Sequence, residues 1–300
     1  MGISNNIMKL KYREIRLSPA NLERLTLINS IIAEYQDQGY TLSLRQLYYQ
    51  LVTRLVIAND DKEYKKLSHL LKEGRLAGIV DWSAIEDRLR VPRRPACWNS
   101  VSSIIESCAS QFRHDRMDGQ ETYIEVWVEK DALSGVLSRV TDKYGIMVNR
   151  GYSSVSAMHD SYLRIDSEVS EGKKALILYL GDHDPSGLDM IRDIRDRLEE
   201  FHKGEWDGLF SVIPVALTMS QIKEHNPPPN PAKLSDSRAK WYVEKYGYKS
   251  WEVDALPPEA LNGLLESAIV DRIDVKLFEK VMAMEMDGRA TLTEIATNLN

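Results

Sequence analysis

The apolar positions of this chain change their period near residue 122. Before that point they recur at helical spacing. "PANLERLTLINSIIAEYQDQG" carries apolar residues three and four apart, with Ser18 placed to cap it, Pro19 in its first turn and Gly39 to stop it. A second helix is expected from about Ser43, and a third, "DKEYKKLSHLLKEGRLAG", from about Asp61 to Gly78. Three short helices followed by the arginine-containing "EDRLRVPRRPACW" suggest a helix-turn-helix or winged-helix unit. "CWNSVSSIIESCASQFRHDR" reads as a linking helix.

From residue 122 the pattern alternates between strand and helix. "TYIEVWVEK", "IMVNRGY", "KALILYLGD" and "LFSVIPVAL" read as strands, and the stretches between them as helices. That order predicts an α/β part with a parallel sheet flanked by helices. "KEHNPPPNPAK" is too rich in proline for helix or central strand, and the last 40 residues or so are mostly helical. The expected division is residues 1–120, mainly helical, and 121–300, α/β with a helical extension.

One stretch asks for a chemical explanation. In "LILYLGDHDPSGLDM", residues 176–190, an unbroken apolar run ends on Asp182 and Asp184. Alternate residues of an extended segment point the same way, so these carboxylates converge at the sheet edge where ligands gather in open α/β folds. A divalent cation relieves their repulsion, and magnesium suits a site of few carboxylates, waters and phosphate oxygens. Glu129, at the end of the first strand, supplies a third acid if the two strands are neighbours. Lys130 beside it is either a phosphate-neutralising group or a solvated lysine. A calcium loop, an aspartyl-phosphate phosphatase (D-x-D-x-T) and a simple helix cap are the competing readings of "DHDPSG".

Charge sharpens the division. Residues 1–120 carry a net +4 and residues 121–300 a net −10, within an overall −6. A basic part joined to an acidic part suits a nucleic-acid-holding module attached to a metal-holding one, and ordinary surface charge explains it equally well. The two cysteines offer no disulfide framework, which makes a reducing cytoplasm the expected setting, and no stretch is apolar enough to span a membrane.

"VEKDALSGVL", "NRGYSSVSAM" and "GDHDPSGLDM", in this order, resemble the Toprim domain of the topoisomerase VI A subunit and of the meiotic double-strand-break transesterase. "SWEVDALPP" resembles their later acidic segment, and the likeness spans roughly residues 120 to 270. It implies a Toprim-like sheet, Glu129, Asp182 and Asp184 as magnesium ligands, and Lys130 near the DNA backbone. These families carry a winged-helix domain first, with a nucleophilic tyrosine that "SLRQLYYQLV" matches at Tyr49, supported by Arg45. Periodicity agrees: Leu44, Leu47, Tyr48, Leu51, Val52 and Leu55 form one stripe, leaving Tyr49 off it on the Arg45 face.

Gln46 departs from the family's acidic residue at that motif position, and no P-loop occurs, so any ATPase would be a separate subunit. The resemblance further implies a homodimer with the tyrosine of one protomer serving the metal of the other, acting on double-stranded DNA near the nucleoid. Arg88, Arg90, Arg93 and Arg94 are candidate phosphate contacts, or a solvated basic loop. Wadjet-type Toprim nucleases share this plan and hydrolyse DNA with water, which leaves transesterification by Tyr49, hydrolysis, and a non-catalytic DNA-binding regulator open.

Overall fold

A computed structural model of the protein describes residues 9–85, 95–150, 155–203 and 206–299. Arg88, Arg90, Arg93, Arg94, Gly151 and Tyr152 lie outside the described residues.

The chain opens with α1 (Pro19–Asp37), α2 (Leu44–Thr53), α3 (Asp61–Leu76) and α4 (Val101–Gln111). Each of the first three starts where a side-chain oxygen meets an orphan backbone N–H. Ser18 accepts from Asn21, Ser43 forms a capping box with Gln46, and Asp60 accepts from Glu63. These three helices close on a core that includes Leu25, Ile28, Leu47, Leu51, Leu67 and Leu71. The α2 stripe stops at Val52, short of the expected Leu55. Leu55 turns into the left-handed region at φ 58°, donates its N–H to the Val52 carbonyl, and is 92% exposed. Among the described residues this part holds isolated bridges, Lys11–Ala77 and Leu42–Ile85, rather than a paired wing.

The second part is built on β1 (Thr122–Val128), β2 (Val148–Arg150), β3 (Lys174–Leu180) and β4 (Phe210–Ala216). They pair in the order β2-β1-β3-β4, all parallel, as the strand and helix alternation predicts. The connecting helices are α5 (Ala132–Tyr144), α6 (Val155–Ser170) and α7 (Pro185–His202). Beyond β4 come α8 (Met219–His225), the pair β5 (Asn230–Pro231) and β6 (Lys249–Ser250) enclosing α9 (Ala239–Tyr246), and then a 3-10 turn at Val253–Ala255. The chain ends in α10 (Pro258–Val270) and α11 (Val275–Asn298).

Both faces of the sheet are covered. Val126, Val128, Leu178 and Leu180 pack with Leu133 and Leu137 of α5 and Leu261 and Leu265 of α10, while Trp127, Ile177 and Tyr179 pack with α6 and α7. That is why "ALILYL" is apolar without alternation. The chain leaves β1 toward β2 on one side and β3 toward β4 on the other. The carboxyl ends of β1 and β3 therefore flank the point where the winding reverses, the crevice where open sheets bind ligands. Among the described residues no helix is long and apolar enough to cross a membrane.

The linking helix α4 lies along α11, and the tie is ionic and buried. Arg116 grips Glu285 with two bonds of 2.9 and 2.6 Å and donates to the Asp142 and Lys143 carbonyls at the end of α5. Glu285 is 1% exposed and also meets Arg289 at 2.8 Å. Replacing Glu285 with alanine strands the Arg116 guanidinium in the interior, so urea unfolding is expected to show a loss of about 3–5 kcal/mol. A loss below 1 kcal/mol, roughly what an exposed pair contributes, would contradict the buried tie.

Candidate metal centre

Glu129 follows β1 and Asp182 follows β3 by one glycine. The Glu129 N–H donates to the Leu180 carbonyl at 3.0 Å, and the Glu129 Oε2 accepts from the Asp182 N–H at 2.8 Å. Neighbouring strands thus bring these two acids together, as the sequence predicts. Asp184 caps α7 by accepting from the Gly187 N–H at 2.7 Å. Gly187 is required there, because a Cβ would overlap the Asp182 carbonyl oxygen. The helix-cap reading of "DHDPSG" is therefore true of Asp184, alongside its place in the cavity described below.

The residue between the two aspartates is fixed from behind. His183 is 2% exposed, and its backbone forms an antiparallel pair with Trp251 through bonds of 2.8 and 3.1 Å. Its Nδ1 sits 2.9 Å from the Tyr242 hydroxyl, and its ring meets Tyr246 edge-on at 4.7 Å. The Tyr242 hydroxyl is also within 2.8 Å of the His183 carbonyl oxygen and 2.9 Å of that of Lys249, either of which can accept its proton.

That backbone pair brings in a second acidic segment. Glu252 and Asp254 are spaced i, i+2 like Asp182 and Asp184, and the Val253 N–H between them donates to Asp182 Oδ1 at 2.9 Å. Asp182, Glu252 and Asp254 each offer an oxygen within 4.8 Å of the others, and this triad can hold a metal ion. Its donors are all carboxylate oxygens, the set that hard cations such as magnesium, manganese or calcium take. The closest acidic group thus differs from the expected Glu129, Asp182 and Asp184. Glu129 is engaged with the Asp182 backbone and Asp184 with its helix, whereas Glu252 and Asp254 are delivered beside Asp182 by the His183–Trp251 pair. "SWEVDALPP" carried the signal, an acidic i, i+2 pair that the rule applied to "DHD" would have singled out.

Two cations from this chain occupy the cluster. Lys130 Nζ donates to Asp182 at 2.9 Å, Glu252 at 2.7 Å and Asp254 at 3.0 Å. It is thus neither a solvated lysine nor directed outward to a phosphate. Arg45 reaches across from α2, pairing with Glu252 and, at 2.5 Å, with Asp254.

Tyr49 stands with Arg45, whose guanidinium carbon is 5.7 Å from its ring centroid. It is only 3% exposed, against the expectation of a hydroxyl left clear of the core. The stripe recorded how α2 meets α1 and α3, but the Val253–Ala255 turn also packs on α2, and Ala255 joins the bundle's core. Burial first, then the Asp254 charge, raises the Tyr49 phenol well above its ordinary value, with Arg45 and Asn230 opposing. The tyrosine lies beside the acids of its own chain. A cavity of about 380 Å³ opens among Tyr49, Arg45, Asp182, Asp184, Asn230 and Glu252.

Concentrated, partly desolvated carboxylates resist ionisation. Asp182 is raised mainly by burial, with Lys130 opposing, and Glu129 is raised to about 7 by burial and then by Asp182 and Asp184. A carboxyl whose folded value lies above its unfolded value contributes stability at low pH that is lost as pH rises through the folded value. In EDTA, Glu129→Gln is therefore expected to gain on the wild type between about pH 5 and about pH 8, on the order of 2 kcal/mol by the upper end. Thermal melts across that range check this, and parallel curves would refute it.

No protein-family model matches this chain, and no curated protein matches it.

Proposed function

We propose that this protein is a magnesium-dependent enzyme that cleaves the DNA backbone, with a Toprim-type α/β part holding the metal and a winged-helix-type N-terminal part gripping the duplex. The observation that carries this reading is the meeting of Asp182, Glu252 and Asp254 at the switch point of a parallel sheet, with Glu129 bonded to the Asp182 backbone and a cavity lined by Asp182, Asp184, Glu252, Arg45 and Tyr49. The "VEKDA" and "GDHDPSG" motifs support the Toprim assignment, because the residues they single out, Glu129, Lys130, Asp182 and Asp184, meet there. An acidic centre this dense repels a phosphodiester unless a divalent cation intervenes.

Magnesium, when bound, supplies neutralisation of the charge that develops on the scissile phosphate. The chain's own residues do the rest. Glu129, whose Oε2 is oriented by the Asp182 N–H, is the carboxylate that would accept a proton from the nucleophile. The exposed side of α3 carries Lys62, Lys65, Lys66 and Lys72, opposite the buried Leu67, Leu70 and Leu71, which gives a phosphate-attracting face to the N-terminal part. A second copy would place two such centres against opposite strands.

Two nucleophiles are within this reading. The burial of Tyr49 and the tight hold on its proton favour water in this conformation, with Glu129 as base. In the alternative, the Tyr49 oxygen attacks phosphorus, the bond to the other strand end breaks, and that end leaves as a hydroxyl with the proton given up by the phenol, which leaves a phosphotyrosyl end.

Nicking of supercoiled plasmid tests the proposal. Asp182→Asn, or EDTA, is expected to reduce nicking about 100-fold or more while filter-retained DNA stays near wild type. Undiminished cleavage in both would sink the metal reading, and binding with no cleavage by the wild type at any metal concentration would make the protein a regulator. Tyr49→Phe separates the nucleophiles. Retained nicking with no protein–DNA adduct after detergent denaturation identifies water, and lost nicking with a wild-type adduct identifies the phenol.

A further inference from the structure

We propose that Lys130 is the protein's own occupant of the metal position, and that a divalent cation enters this centre by displacing the Lys130 ammonium. The inference rests on the metal-centre reading above and adds the competitor that must leave.

The geometry is that of a substitute cation. Lys130 Nζ has one carboxylate partner for each of its three N–H bonds, and the partners are the same Asp182, Glu252 and Asp254 whose oxygens lie within 4.8 Å of one another. Its side chain is 21% exposed, so the ammonium is drawn into the cluster and not left in solvent. Magnesium holds its oxygens at about 2.0–2.1 Å, whereas these oxygens already stand 2.7 to 3.0 Å from the nitrogen. An ion at that range from the same oxygens falls within contact distance of Nζ, and two cations cannot share the place.

Charge balance points the same way. The three carboxylates face two side-chain cations, Lys130 and Arg45. Within the triad and Arg45, exchanging Lys130 for a divalent ion brings the set to neutrality, while adding the ion without the exchange leaves that set positive around the buried Asp182 and Asp254. The four-carbon stem of Lys130 lets its ammonium leave without moving the backbone. Once released, it stands at the edge of the cavity beside Asp182, where a phosphate bound through the metal would take it as a partner. The approach to the DNA backbone that the resemblance implies for Lys130 would thus belong to the metal-loaded state.

Manganese titration by isothermal calorimetry and by the loss of the free-ion EPR signal tests the exchange. Lys130→Met removes the competitor and keeps a stem of similar length, so it is expected to bind manganese at least about tenfold more tightly than wild type. Equal or weaker binding overturns the proposal while leaving the metal centre intact. Absence of binding in both proteins overturns the metal reading as well.

A second measurement needs no variant and decides the matter if Lys130→Met does not fold. Amine acetylation of the wild type, read by mass spectrometry, is expected to rise severalfold at Lys130 on manganese addition, with the exposed Lys62 and Lys65 unchanged as references. Labelling of Lys130 that stays level or falls overturns the exchange.

Discussion

The backbone pair between His183 and Trp251 makes one centre out of two stretches of chain almost 70 residues apart. Two hydrogen bonds set the segments antiparallel, and on each the residues flanking or following the paired position are acidic. Carboxylates do not gather unaided, because each one desolvated near another loses hydration and gains repulsion. What holds them is the neutral scaffold behind. The fully buried Tyr242 bonds the His183 ring, Tyr246 packs on its edge, and Gly187 lets α7 begin against the Asp182 carbonyl. The neutral groups fix the two segments in place, while Lys130 and Arg45 offset the charge gathered on them.

The same concentration of charge governs how the two parts of the chain meet. Arg45 crosses from α2 to Glu252 and Asp254, and Asn59 donates to the Pro229 carbonyl at 3.2 Å and to Asn230 Oδ1 at 2.5 Å. Asn230 in turn donates to Glu252 at 3.1 Å. The proline-rich segment is therefore a strut between the bundle and the acids, and its stiffness fixes where Asn230 stands. Whatever changes the charge on Glu252 or Asp254 changes the hold on the N-terminal part. Binding in the centre and docking of the bundle are thermodynamically linked, each altering the other by the same factor.

Much of this was written in local pattern. Caps at Ser18, Ser43 and Asp60 mark helix starts, the apolar run of β3 announces a strand covered on both sides, and Glu129 and Asp182 meet because their strands are neighbours. What pattern could not supply is long-range. Helical periodicity counts contacts on one side of α2, so it identified Tyr48 as core and missed that the Val253–Ala255 turn buries Tyr49 from the other. Glu252 and Asp254 enter through a single bridge, which leaves no periodic trace, although their own spacing repeats that of Asp182 and Asp184. A lone lysine after a strand reads alike whether it faces solvent, a phosphate or three carboxylates.

The position of Tyr49 constrains any account of strand cleavage by this protein. Its ring is enclosed by its own chain, under Arg45 and against the turn that carries Asp254. An arrangement in which Tyr49 of one copy serves the acids of another must first break the Arg45 contacts to Glu252 and Asp254 and the Asn59 contact to Asn230 within each chain. Because those contacts join the bundle to the α/β part, they can re-form with the exchanged part of a second copy, residue for residue. The two arrangements would then share the same contacts, and the choice between them would fall to the linker, to concentration and to whatever neutralises Glu252 and Asp254 in place of Arg45. Neutralisation of those two acids by a bound cation weakens the hold of Arg45 in both arrangements. A cation bound there would loosen the bundle, and it would reach Tyr49 both through the Arg45 guanidinium and through Asn230, which contacts Glu252 and the Tyr49 phenol.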